Sequence, residues 1–104
     1  MVVEIAWLKA KPGSEAALRT GLQAARAVIA RAPGCLGSVF YQGLEEPDSF
    51  ILRVLWQTLA DHVPGFRESA LLAEWRSHFY HLLAVTPTVT HYTAIAGVEG
   101  TPHD

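Results

Sequence analysis

Charge is scarce in this chain of 104 residues: Asp, Glu, Lys and Arg together make up 17% of it, where about 25% is usual. Eight basic residues face ten acidic ones, for a formal net charge of −2. The basic residues are scattered, so there is no electrostatic footprint for nucleic acid and none for an anionic membrane. No stretch approaches the ~18 consecutive apolar residues of a membrane span. The opening Met1-Val2-Val3-Glu4 lacks the basic segment, long apolar run and small-residue cleavage site of a secretory signal, so none is expected. The single cysteine, Cys35, cannot close an internal disulfide, which fits a cytoplasmic location. There is no Gly-rich phosphate or dinucleotide fingerprint and no HExxH pattern. No internal repeat stands out.

What is present is apolar. Half of the residues are hydrophobic, and the length suits one domain of ordinary size. A small domain with much apolar surface and few charges is poorly fitted to standing alone, so a homo-oligomer is expected.

Residues 2–9 are β-branched and aromatic and stop at Lys11-Pro12-Gly13, a strand followed by a turn. Ser14 then reads as a helix N-cap. Leu18, Leu22, Ala25 and Ile29 recur at helical spacing and form one buried stripe over residues 14–32, with Glu15 and Arg19 paired on the wet side. Pro33-Gly34 ends it. Residues 35–43 and 49–57 read as a hairpin across the polar loop 44–48. In its second strand Phe50, Leu52, Val54 and Trp56 share one face and Ile51, Arg53, Leu55 and Gln57 the other. Both faces are mainly apolar, so both are expected to be covered.

Thr58 to Asp61 has capping-box spacing, which predicts a short helix that Pro64-Gly65 breaks. A second helix is predicted over residues 70–83, with Leu71, Trp75, Phe79 and Leu82 on one face. Residues 88–95 read as a last strand. The domain is expected to span residues 1–97, followed by a mobile tail at 98–104. The order β-α-β-β-α-β is the split, ferredoxin-like α+β arrangement: a four-stranded antiparallel sheet with helices on one face. The bare face is expected to meet an identical sheet, because two-fold dimers are the commonest oligomers.

Pro33-Gly34-Cys35-Leu36-Gly37, the strand ending in Trp56-Gln57-Thr58, the run Asp61-His62-Val63-Pro64-Gly65-Phe66-Arg67-Glu68-Ser69, Glu74-Trp75-Arg76, and His91-Tyr92 together resemble the antibiotic biosynthesis monooxygenase (ABM) domain family. The resemblance spans about residues 2–96. It implies a dimeric α+β barrel, with the pocket between a subunit's sheet and its helices. It also implies a cofactor-independent monooxygenase that oxidises a phenolic, quinol or polyketide-like small aromatic substrate. Relatives that oxidise polyketides carry an Asn and a Trp one turn apart on the helix after the third strand; the nearest positions here are His62 and Phe66. Haem-degrading relatives carry an Asn near Ala6 or Trp7, a Trp near Phe66 and a ligand His near Trp75 or Arg76. Neither set is matched, and no haem, flavin or metal is expected. The alternative is a non-catalytic small-molecule-binding or stress-related protein of the same fold, or a non-oxidative cyclase-like relative.

Cofactor-free oxygenation needs a phenol or hydroquinone to lose a proton in a dry pocket, so that its anion can reduce O2; the protein supplies a base or donor at the substrate oxygen and apolar walls. Histidine suits the task near neutrality. Five are present: His62, His78, His81, His91 and His103. His62, one turn before Phe66, is the expected catalytic residue; the competing reading is an exposed helix histidine beside Asp61. His78 and His81 are spaced for a shared helix face, either as a metal pair or as a solvated face, and His78 and His91 are also substrate-contact candidates. His91 and Tyr92 point to opposite faces of the sheet, so at most one enters the pocket. Phe66, Trp75 and Phe79 are substrate-wall candidates that compete with a core role, and Tyr80 is a candidate donor. Arg53, mid-strand among apolar residues, is either an interface ion-pair member or an anchor for an acidic substrate.

Overall fold

A computed structural model describes residues 1–97. The tail predicted at 98–104, His103 included, lies outside the described residues. Strand β1 (Val2–Lys9) leads to helix α1 (Glu15–Ile29), strand β2 (Cys35–Gln42) and strand β3 (Ser49–Trp56). A wide helical turn (Asp61–Phe66), helix α2 (Leu71–Ser77), a 3-10 turn (Tyr80–Leu82) and strand β4 (Thr88–Tyr92) follow. The sheet has the order β2-β3-β1-β4 with every pair antiparallel. This is the predicted α+β fold.

Alternation decides which side of the sheet is covered. Glu4, Ala6 and Leu8 of β1 and Phe50, Leu52, Val54 and Trp56 of β3 are buried on one side. Leu18, Leu22, Ala25, Val28 and Ile29 of α1 lie against that side. On the other side the register sets two rows across β1, β3 and β2, Trp7–Ile51–Tyr41 and Ile5–Arg53–Val39. Trp7, Val39 and Tyr41 are exposed there, so the chain by itself leaves an apolar sheet face open.

Four local expectations are corrected. Ser14 makes no side-chain cap; its own N–H instead closes a turn on the Lys11 carbonyl. Arg19 reaches Gln42 of β2 rather than Glu15. The helix predicted over 70–83 stops at Ser77, because His78 and Phe79 bond three residues back, to Trp75 and Arg76, and Phe79 has φ −151°, outside the helical region. The chain then rejoins the sheet: Lys11 N–H donates to the Leu82 carbonyl and Ala84 N–H to that of Lys9. Strand β4 also ends at Tyr92 rather than at 95.

The entry to the wide turn follows expectation. Asp61 N–H donates to Thr58 Oγ1 at 3.2 Å while Thr58 N–H donates to Asp61 Oδ2 at 3.0 Å, a reciprocal capping box. Gly34 (φ +84°) lies directly over that carboxylate, where a Cβ would collide with it. Inside the turn Val63 is extended (φ −129°, ψ 110°), as a residue before proline tends to be. The helical path resumes after it, and Arg67 N–H bonds the His62 carbonyl at 3.1 Å.

Candidate functional site

The wide turn, α2 and the 3-10 turn do not lie flat on the sheet; they leave a cavity of about 370 Å³ between themselves and the strands. Leu8 and Leu52 of the sheet, Ile29 of α1, and Phe66, Trp75 and Phe79 form its apolar walls. Trp75 stands edge-on to both Phe66 and Phe79, at 5.9 and 5.0 Å between ring centres, so each aromatic is both core and wall. The two readings offered for these residues are therefore not exclusive.

His62 is 4% exposed, which removes the reading of an exposed helix histidine. Its ring stacks on Trp56 at 5.1 Å and 14°. Trp56 Nε1, which can only donate, gives its hydrogen to Glu4 Oε1 at 2.9 Å. The same oxygen lies 3.4 Å from His62 Nε2. On its other side His62 Nδ1 meets His91 Nε2 at 2.7 Å. A proton on Nε2 of each ring satisfies the whole row: His91 donates to His62, and His62 points its N–H at Glu4. Strand register makes this possible, since Glu4 and His91 are direct partners across β1 and β4. Of the pair His91 and Tyr92, it is His91 that turns toward the helices, while Tyr92 is exposed.

Burial sets the charges here. It raises the Glu4 pKa, opposed by the Trp56 N–H and by the charge of Arg67. Burial likewise lowers His62 to about 4, helped by the charges of His91 and Arg67, so the ring is neutral at neutral pH. His91 is lowered by burial and by Arg67. Glu4 Oε2 makes no hydrogen bond within the described residues. No buried side-chain nitrogen or oxygen there lacks a partner, so this oxygen opens on accessible space. Glu4 lines the cavity, so its carboxylate borders the space that a ligand would enter.

Sequence reasoning passed over Glu4. The signal was its phase: in Val3-Glu4-Ile5-Ala6-Trp7-Leu8 it alternates with Ala6 and Leu8, the core-facing set, where a carboxylate needs partners. Arg67, which also lines the cavity, was likewise not singled out. Among the residues that were, His62, Phe66, Trp75, Phe79 and Tyr80 line it. His91 stands behind His62. His78 caps the end of α2 away from the cavity lining, His81 is exposed, and Arg53 lies on the open sheet face, so the structure does not bring these three to the cavity.

Residues 1–78 match the sequence model of the family described as antibiotic biosynthesis monooxygenase. Over 92 residues the chain is 33% identical to the uncharacterised protein YczJ of Bacillus subtilis, covering 88% of this chain and 97% of that one. A Bordetella bronchiseptica protein assigned to the antibiotic biosynthesis monooxygenases superimposes with a TM-score of 0.87 at 35% identity, over 91% of this chain and 97% of the other. SnoaB, a cofactor-independent oxygenase from Streptomyces nogalater, shares the fold, with a TM-score of 0.77 at 15% identity over 95% and 97% of the two chains.

Proposed function

The chain belongs to the antibiotic biosynthesis monooxygenase family, and from that premise we propose that it is a cofactor-independent monooxygenase acting on a phenolic or quinol substrate. The observation that carries this reading is the buried Glu4–His62 pair opening on a cavity with apolar walls. A hydroxyl placed there gives its proton to Glu4, which the Trp56 N–H holds in place; His91 keeps the His62 N–H turned to that end of the cavity, where it donates to the oxygen left behind, and the walls keep water from the anion that results. The electron-rich anion then reduces O2. One oxygen atom stays on the reacting ring carbon as a carbonyl, and the other leaves as water with the one hydrogen that carbon carried and the proton the hydroxyl gave up. His62 is the proposed catalytic residue, Phe66, Trp75 and Phe79 the substrate walls, and Tyr80 a donor at the rim. The exposed sheet face is proposed to pair with a second copy in an α+β barrel, with Arg53 at that interface. Among the described residues no helix is long and apolar enough to cross a membrane.

A second reading, a non-catalytic binding protein of the same fold, draws on one observation: both ring nitrogens of His62 face partners inside the chain. One experiment separates the two. Anthrone or a naphthohydroquinone is mixed with the protein anaerobically and then exposed to air. O2 uptake above the uncatalysed rate with a mono-oxygenated product supports the enzyme. Binding without uptake overturns it. Given turnover, His62→Ala lowers the rate by ~10²–10⁴-fold, the usual contribution of a positioned acid-base group.

A further inference from the structure

The arginines of this chain divide into two groups. Arg31 grips Glu74 through two hydrogen bonds of 2.9 Å, Arg19 reaches Gln42, Arg26 reaches Ser38, and Arg53 is engaged as well. Arg67 and Arg76 make no hydrogen bond or ion pair through their side chains among the described residues, and both line the cavity. Arg76 stacks its guanidinium on the Tyr80 ring at 4.8 Å. Stacking uses the face of the group and leaves its in-plane N–H fork free to meet an acceptor. Both arginines are exposed while Glu4 is buried, so the cations stand at the solvent side of the cavity and the carboxylate at the sheet. The charge of Arg67 nevertheless reaches Glu4, His62 and His91.

We propose that Arg67 and Arg76 form the anion-recognition end of this cavity, and that its ligand is a hydroxylated aromatic acid whose carboxylate lies at the mouth and whose hydroxyl points to Glu4 and His62. The proposal rests on the functional reading above for the hydroxyl end. The acid end stands on the two arginines. At about 370 Å³ the cavity is near the lower end of small-molecule sites, which favours a ligand of a few fused rings. The rings lie against the wall that Phe66, Trp75 and Phe79 form. Two guanidinium groups with vacant donors lining one cavity discriminate an acid from its neutral analogue by about tenfold or more.

The test uses 6-hydroxy-2-naphthoate, whose hydroxyl and carboxylate lie at opposite ends, against 2-naphthol, with binding measured by calorimetry under anaerobic conditions so that neither phenol is turned over. The acid is expected to bind at least tenfold more tightly. The preference should shrink as salt rises, and an Arg67→Gln/Arg76→Gln double variant, folded by circular dichroism, should bind both compounds alike. Equal affinity for the two in the unaltered protein, or no binding of either, overturns the proposal. So does a preference that survives the double variant. O2 uptake on a neutral naphthohydroquinone is scored separately: uptake without the acid preference removes the anion end alone, whereas the acid preference without uptake removes the oxygenase reading and leaves the anion end standing.

Discussion

At the scale of the residue, His62 makes stability depend on pH. Its pKa in the folded chain, about 4, lies below the ordinary 6.5. Between those values the unfolded chain takes up a proton that the folded chain refuses, so this residue's contribution is lost as pH falls through the window. His91, also lowered, acts in the same direction. Glu4 acts in the opposite one, because its raised pKa means that the folded chain holds that proton more firmly and loses the benefit as pH rises. Replacing His62 by Gln isolates the imidazole term. Urea unfolding at about pH 7 and pH 5 should show the unaltered protein losing more stability than the variant, by on the order of 1–3 kcal/mol. Equal losses would show that the burial of this ring is not what separates the two states. His62 was legible in the sequence, as a titratable group one turn from an aromatic. Its partners were not: Glu4 and His91 sit far from it in the chain, and only the register of β1 with β4 brings them together.

At the scale of the element, Gly21 governs how α1 meets α2. A Cβ at this position would run into the backbone carbonyl of His78. An alanine there gains about 1 kcal/mol in helix propensity, but the obstacle is backbone, fixed by the end of α2, and relieving it costs typically 1–3 kcal/mol. The clash should win. Gly21→Ala is expected to lower stability by up to about 2 kcal/mol, read as a drop in the urea midpoint at unchanged slope, and a more stable variant would contradict the packing. This contact also shows why the helix ends were harder to read than the strands. The alternation of Phe50, Leu52, Val54 and Trp56 is written along one segment, and β3 ran as expected. The stop at Ser77 depends on Gly21 against His78 and on the return of the chain to pair with Lys9 and Lys11, contacts that no periodicity within residues 70–83 records. The capping box at Thr58 and Asp61 was readable because both partners lie within four residues.

At the scale of the whole molecule, the order of the elements was legible because β1 and β2 ended at Pro or Gly turns, the capping box at Thr58 marked the end of β3, and α1 carried a single stripe. The open sheet face follows from that order, since both helices cross on the same side. With Trp7, Val39 and Tyr41 exposed, sedimentation at tens of micromolar is expected to show a dimer; interfaces of the obligate kind commonly bury more than ~2,000 Å². A monomer at that concentration would remove the barrel. The two faces of the sheet have a further consequence. The cavity lies under the helices and is walled by residues of one chain, while the proposed contact between copies lies on the opposite side. Each copy then owns its site outright, and no subunit can repair its neighbour. Co-expressing a His62→Ala chain with a Glu4→Gln chain should therefore yield mixed dimers as inactive as either parent. Paired with an unaltered chain, either variant should give mixed dimers of half activity, and rescue between the two defective chains would mean that the neighbour reaches across the sheet after all.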